Sequence, residues 1–100
     1  MSVSFQTDQQ LQEITIRVSG HFDFRLVTEF RKAYNAIQSP KKVIVDLQDT
    51  DYIDSSGLGI LIYLRKHFDC KKENIHLINC NSIVTKTFII ARFNKMFVIK

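Results

Sequence analysis

Two adjacent serines, Ser55 and Ser56, stand in the run Asp54-Ser55-Ser56-Gly57-Leu58-Gly59, where an acidic segment is expected to become a helix. A hydroxyl at such a place can carry a phosphate, because the unpaired N–H groups and the positive dipole end of a helix favour negative charge. A phosphate would also add about two negative charges to a segment that already has four aspartates between positions 46 and 54. The run therefore predicts a site where phosphorylation is tolerated and changes the surface.

The same serines lack the surroundings of a catalytic nucleophile. The nucleophile elbow of hydrolases requires glycine on both sides as G-x-S-x-G, whereas positions 52–54 hold Tyr, Ile and Asp. The histidines His21, His67 and His76 stand in unrelated contexts, and a serine nucleophile needs a base positioned beside it. We predict no catalytic residue, and we expect that the protein is not an enzyme.

Nucleotide and metal chemistry have equally little support in the sequence. Gly57 and Gly59 supply only the start of a dinucleotide fingerprint, and the chain has no Gly-Lys-Ser/Thr phosphate loop. The aspartates miss the spacing and the glutamate of a calcium loop. Cys70 and Cys80 are too far apart for a C-x-x-C redox or zinc motif. We therefore expect no metal and no cofactor.

The composition bounds the class of protein. A chain of 100 residues with 45% hydrophobic and 24% charged residues is expected to form one domain over 1–100. The longest apolar run, 60–64, is far shorter than the roughly 20 residues of a membrane span, and the first ten residues do not resemble a signal peptide. We expect a cytoplasmic protein without membrane insertion. The net charge of +4 could indicate nucleic-acid binding, but the basic residues are scattered, so this hypothesis ranks last.

Hydrophobic periodicity predicts the elements that position these residues. Alternation predicts strands at 3–5 and 14–18, and apolar residues at spacings of three and four predict a helix over 25–38. Further strands are predicted at 43–47, 75–78 and 97–99, with helices at 58–68 and 82–92, the last capped by Ser82. The order β-β-α-β-α-β-α-β predicts an α/β protein whose sheet has parallel strands joined by right-handed crossovers.

Three details of this prediction bear on function. The strand at 43–47 lacks alternation and is predicted to be buried on both faces. The helix at 58–68 has apolar residues on more than one side, which fits either a helix covered by its neighbours or an exposed patch for a protein partner. The segment Phe22-Asp23-Phe24 after the second strand is either a helix cap with hydrophobic neighbours or a functional surface. The functional interpretation requires that this segment lie close to Ser55.

The motifs together resemble the STAS domains, and within them the small stand-alone anti-sigma factor antagonists of bacteria. The run from Asp54 to Gly59 is similar to the family motif D-S-[ST]-G-L-G, and Gly20-x-x-Asp23 is similar to the family loop G-x-[LF]-D. The resemblance implies the STAS fold, a four- to five-stranded mixed sheet with helices packed mainly on one side. It also implies that Ser55 is the phosphorylated serine and that the Asp23 loop lies beside it.

The resemblance further implies a mechanism of partner switching in transcription regulation. The unphosphorylated antagonist binds an anti-sigma factor and frees the sigma factor, and the serine kinase activity of that anti-sigma factor ends binding by phosphorylating Ser55. A serine phosphatase reverses the modification, and the aromatic pair Phe22 and Phe24 resembles antagonists that work with response-regulator phosphatases. The implied partner-binding residues are Phe22, Asp23, Phe24, Asp54, Ser56, Gly57 and Leu58.

An alternative within the same family is a STAS subunit of a transporter complex that regulates the ATPase of that complex. Such a subunit docks onto the ATPase without a cycle of serine phosphorylation. The segment 69–74 lacks the glycine-rich turn common in the family, which leaves the identity of the partner open. Co-purification with an ATPase and a membrane subunit would favour this alternative.

Overall fold

Over residues 3–100, the part of the chain that the structure, a computed structural model, describes, a five-stranded sheet is joined by three α-helices. The strands are β1 (Val3–Asp8), β2 (Glu13–Phe22), β3 (Lys42–Ile53), β4 (Ile75–Ile78) and β5 (Val98–Ile99). The helices are α1 (Val27–Tyr34), α2 (Ser55–His67) and α3 (Ser82–Ile90). The predicted class and the predicted order of strands and helices are confirmed.

The strands lie in the order β1-β2-β3-β4-β5, with β1 antiparallel to β2 and every other pair parallel. Because each parallel connection steps across the sheet in the same direction, right-handed crossovers place all three helices on one face. Side-chain burial agrees with this arrangement, since alternate residues of β2, β3 and β4 are completely buried. These residues are Ile14, Ile16, Val43, Val45, Leu47, Ile75 and Leu77.

Strand β3 differs from its prediction in both burial and length. Val43 and Val45 are completely buried, whereas Ile44 and Asp46 between them are only half-buried. The prediction of burial on both faces is therefore wrong, because helices cover one face of the sheet only. The strand also continues to Ile53 through the acidic segment that was expected to be a loop, since pairing with β2 carries the backbone that far.

Two β-bulges in β3 bring its end level with the end of β2. The pairing register shifts by one residue between Arg17 and Ser19 and again between Gly20 and His21, each time with the additional residue in β3, and Phe22 then pairs with Ile53. Gly20 has φ of 80°, in the left-handed region that glycine enters without a steric penalty. The structure thus explains the glycine at the first position of the Gly20-x-x-Asp23 motif, because its backbone conformation directs the following loop toward the end of β3.

The cap of α3 is Asn81, not the predicted Ser82. The Asn81 Oδ1 atom accepts a hydrogen bond from Val84 N at 2.8 Å, and its Nδ2 atom donates to the carbonyl oxygens of Thr50 at 3.0 Å and Asp51 at 3.2 Å. An amide side chain can accept from the helix through its oxygen while its NH₂ group donates to two carbonyl oxygens of β3. Asn81 therefore fixes the start of α3 to the far end of the central strand.

We expect Asn81→Ala to lower the free energy of unfolding by about 1–2 kcal/mol, because it removes a helix cap and two further hydrogen bonds. The matched control is Ser82→Ala, an exposed neighbour whose replacement should change stability by less than about 0.5 kcal/mol. Urea denaturation of the two variants measures the difference. Equal losses in both would show that Asn81 does not cap α3.

Candidate functional site

Asp54 caps the helix that begins at Ser55. Its Oδ1 atom accepts hydrogen bonds from Gly57 N at 3.0 Å and from the Ser56 hydroxyl at 2.6 Å. These two donors, the Ser56 hydroxyl foremost, hold the pKa of the exposed Asp54 carboxyl below its usual 3.8. A negative charge therefore stands beside Ser55 at neutral pH.

The two serines of the motif differ in their surroundings. Ser56 is half-buried and its hydroxyl is bonded to Asp54. Ser55 is exposed, and its side chain makes no hydrogen bond to any residue within 3–100. Ser55 consequently presents the free hydroxyl of the pair, as a residue that receives a phosphate must.

Gly57 lies where the first turn of α2 contacts the end of β2. A Cβ atom at this position would overlap the Phe22 carbonyl oxygen and would lie 2.7 Å from Ile53 Cγ1 and 2.9 Å from Phe22 Cδ1. The same carbonyl accepts a hydrogen bond from Asp54 N at 3.2 Å. Glycine is thus required here for close approach, and this contact places the loop after β2 directly against the start of α2.

Asp23 in that loop is held by Arg25. The carboxylate is buried, with 8% of the residue exposed, and it accepts hydrogen bonds from Arg25 N at 3.0 Å, Nε at 2.9 Å and Nη2 at 2.8 Å. Its bonds to the Arg25 side chain are the main reason that the pKa of Asp23 is lowered. The predicted capping role is confirmed, because Asp23 caps the short 3₁₀ turn Phe24–Leu26 that leads into α1.

The exposed charge of the loop is therefore that of Arg25, which the sequence analysis did not single out. Its side chain is 62% exposed, against 11% for that of Asp23. The sequence signal for this ion pair was the Asp-x-Arg spacing at the start of a helix. One carboxylate can cap the helix and also bind the guanidinium of an arginine two residues later. Only a small part of Asp23 is left open to a partner.

The predicted aromatic pair divides between the core and the surface. Phe22 is completely buried and stacks on Phe30 with ring centroids 5.4 Å apart, so it supports the loop from below. Phe24 is 68% exposed and is the first residue of the turn that packs against α2. Leu58, in the first turn of α2, is half-buried. Phe24 is thus the larger apolar surface near Ser55.

The remaining apolar residues of α2 mostly belong to the core. Ile60, Leu61 and Leu64 are buried, whereas Tyr63 is 56% exposed. The helix is therefore covered by its neighbours along most of its length, and this accounts for its unusual apolar content. The exposed part is limited to the side that faces α1.

An open groove of about 670 Å³ runs between α1 and α2 and reaches Ser56. Val27 and Arg31 line it from α1, and Gly59 and Tyr63 line it from α2. Tyr34 lies farther along the groove, where burial raises its pKa to about 12. The lining of this groove gives a mixed apolar and basic surface that includes Ser56 of the serine motif.

Two structural observations concern metals and membranes. Within residues 3–100, no three side chains of His, Cys, Asp or Glu are grouped so as to hold a metal ion. In the same part of the chain, no helix is long and apolar enough to cross a membrane.

The fold and the site define a small α/β domain with an exposed serine at the start of its second helix. The STAS domain family model matches residues 4–100, and the protein belongs to that family. It is 40% identical over 87 residues to a STAS-domain containing protein of Pseudomonas aeruginosa (strain UCBPP-PA14), with 86% of each chain covered. It is 20% identical over 93 residues to an anti-sigma-B factor antagonist of Staphylococcus aureus, covering 91% of this chain and 86% of the other.

Solved structures of anti-sigma factor antagonists have the same fold. An antagonist from Mycobacterium paratuberculosis superposes with a TM-score of 0.75 at 20% identity, covering 98% of this chain and 85% of the other. The phosphorylated form of SpoIIAA, a Bacillus cell fate determinant, superposes with a TM-score of 0.64 at 18% identity, covering 97% and 91%. The architecture of this protein is therefore the STAS fold that these structures share.

Proposed function

We propose that this protein is an anti-sigma factor antagonist, a binding protein of the bacterial cytoplasm whose activity is ended by phosphorylation of Ser55. The observation that carries the proposal is the exposed Ser55 hydroxyl, which has no hydrogen-bonding partner within residues 3–100, at the first position of α2. The family membership and the antagonist fold support it. The protein is then the substrate of a kinase, with no catalytic role of its own.

The unphosphorylated form would bind the anti-sigma factor through the surface around Ser55. Phe24 supplies exposed apolar area, and the exposed Gly59, where a Cβ atom would meet no atom within 4 Å, leaves space beside the first turn of α2. The residues implied by the family, Asp54, Ser56 and Leu58 among them, lie within or beside this turn. Occupation of this surface releases the sigma factor.

Phosphorylation would end binding through charge. In the transfer, the Ser55 oxygen attacks the γ-phosphorus of ATP, loses its proton and displaces ADP, and the kinase is the anti-sigma factor itself. The resulting dianion stands beside the ionised Asp54 and must lose its hydration shell if the surface is to be buried again. A hundredfold loss of affinity requires only about 2.7 kcal/mol, so no large conformational change is needed. A serine phosphatase linked to a response regulator would restore the binding form by hydrolysis.

Phosphorylation of the purified protein tests this proposal. Incubation with a kinase-active anti-sigma factor of the same organism and ATP is expected to place one phosphate on Ser55, located by mass spectrometry of the peptides. Ser55→Ala should abolish the product, and Ser56→Ala should retain it. Phosphate on Ser56 in the unaltered protein would refute the assignment. Co-purification with a transporter ATPase, without phosphorylation, would favour the transporter-subunit alternative.

A further inference from the structure

Arg25 lies in the turn Phe24–Leu26, which follows the point where the end of β2 touches α2. The turn Phe24–Leu26 contacts α2, and Phe22 is bonded through its carbonyl oxygen to Asp54 N. The Arg25 guanidinium forms a two-pronged ion pair with Asp23, at 2.9 Å through Nε and 2.8 Å through Nη2. Its side chain is nevertheless 62% exposed, so the guanidinium can turn without unpacking the core.

The electrostatic interactions of Arg25 include one with Asp54, a residue of the serine motif. Asp23 is the main cause of the raised pKa of Arg25, and the nearby Asp54 and Tyr52 add to it. His21 stacks against Tyr52 with ring centroids 4.5 Å apart and also favours the ionised form of Asp23. The field of Arg25 therefore reaches Asp54, the residue that immediately precedes Ser55.

We propose that Arg25 is the internal counter-ion of phosphoserine at position 55, and that phosphorylation draws its guanidinium from Asp23 to the phosphate. The inference rests on the proposed function, because it concerns the modified form of Ser55. A phosphate dianion has about twice the charge of a carboxylate and three acceptor oxygens, and it matches the planar fork of a guanidinium. The stronger anion therefore competes for Arg25.

The backbone hydrogen bond that caps the loop is kept in this exchange. Asp23 caps the turn Phe24–Leu26 through the backbone N–H of Arg25, at 3.0 Å, and that bond does not involve the guanidinium. The exchange therefore leaves the loop in place while it removes an exposed positive charge from the surface near Phe24. Phosphorylation then alters two positions of the binding surface, Ser55 and Arg25.

The test is a phosphorus NMR titration of protein that carries genetically encoded phosphoserine at position 55, which needs no kinase. The second pKa of free phosphoserine is near 6, and an adjacent guanidinium is expected to lower it by about half a unit or more. Arg25→Ala should return the pKa toward the free value, and Arg25→Lys should give an intermediate value. Lys41→Ala, which removes the same single charge from an exposed residue that directly precedes β3, at the opposite end of that strand from Ser55, is the matched control and should leave the pKa unchanged.

The outcomes separate Arg25 from the other nearby groups. An unchanged titration in Arg25→Ala, or a shift that is lost in His21→Ala but kept in Arg25→Ala, would overturn the proposal. Equal effects of Arg25→Ala and Lys41→Ala would also overturn it, because they would reflect net charge alone. Failure of the kinase to modify Ser55 would instead reject the proposed function. The two failures are therefore distinguishable.

Discussion

Gly57→Ala is expected to lower the free energy of unfolding by about 2–3 kcal/mol, the upper range for overpacking a close contact. The added methyl group would overlap the Phe22 carbonyl oxygen and crowd Ile53 Cγ1 at 2.7 Å. One of the three neighbours that it meets, the Phe22 carbonyl oxygen, is a backbone atom and is the nearest of them, so rotation of a side chain cannot relieve that overlap. The contact can be relieved only by moving α2 away from the end of β2. Urea denaturation measures the loss.

Gly59→Ala is the matched control for this prediction. Gly59 lies in the same helix, two residues later, and a Cβ atom there would meet no atom within 4 Å. Alanine at an open helical position is favoured over glycine by roughly 0.5–1 kcal/mol, so this variant should be at least as stable as the parent. Similar destabilisation by both substitutions would show that Gly57 is not in close contact with β2.

The contrast between the two glycines also bears on function. Gly57→Ala should weaken any activity of the motif by displacing Ser55, whereas Gly59→Ala adds one methyl group to the groove beside Tyr63. Loss of partner binding in Gly59→Ala with normal stability would therefore place the groove within the binding surface. The glycine that the fold requires and the glycine that faces the groove are thus separable by experiment.

The order of elements was predictable because it depends on local periodicity and on breaks at residues such as Pro40. The length of β3 was not, because its continuation past Asp49 and Asp51 depends on pairing with β2, a partner distant in sequence. Four of the six residues from 48 to 53 are exposed and only Thr50 and Ile53 are buried, so the polarity of the segment gave the impression of a loop. Long-range pairing overrode a local preference.

The site shows the same division between local and distant causes. The exposed serine at the start of a helix followed from the motif, since the capping carboxylate and the glycine stand within three residues of it. The role of Arg25 did not follow, because it depends on which side chain shares the Asp23 carboxylate and on how the loop packs against α2. Asn81 was missed for a similar reason, since its amide also bonds to β3. Sequence patterns located the exposed serine but not the roles of Arg25 and Asn81.

Ser55→Glu is expected to weaken binding of the anti-sigma factor at least tenfold, about 1.4 kcal/mol, whereas Ser55→Ala should retain the parent affinity. Glutamate places one carboxylate where a phosphate would place about two charges, so its effect should be smaller than that of phosphorylation. The physical reason is the same in both cases, because a hydrated anion beside Asp54 must be desolvated when the surface is buried. Isothermal titration calorimetry of the purified pair measures the three affinities.

A control variant must distinguish the effect of a negative charge at position 55 from the effect of net charge, if the result is to support the proposed mechanism. Gln38→Glu adds the same single charge with little change in shape, at an exposed residue that precedes β3, whereas Ser55 follows the other end of that strand. If the anion acts by desolvation at the contact surface, Gln38→Glu should bind as the parent does, and raising the salt concentration should restore little of the affinity of Ser55→Glu. If the effect is long-range repulsion, salt should restore most of it, since screening acts within about 10 Å at 0.1 M. Equal affinities of Ser55→Glu and Ser55→Ala would contradict both forms of the charge mechanism.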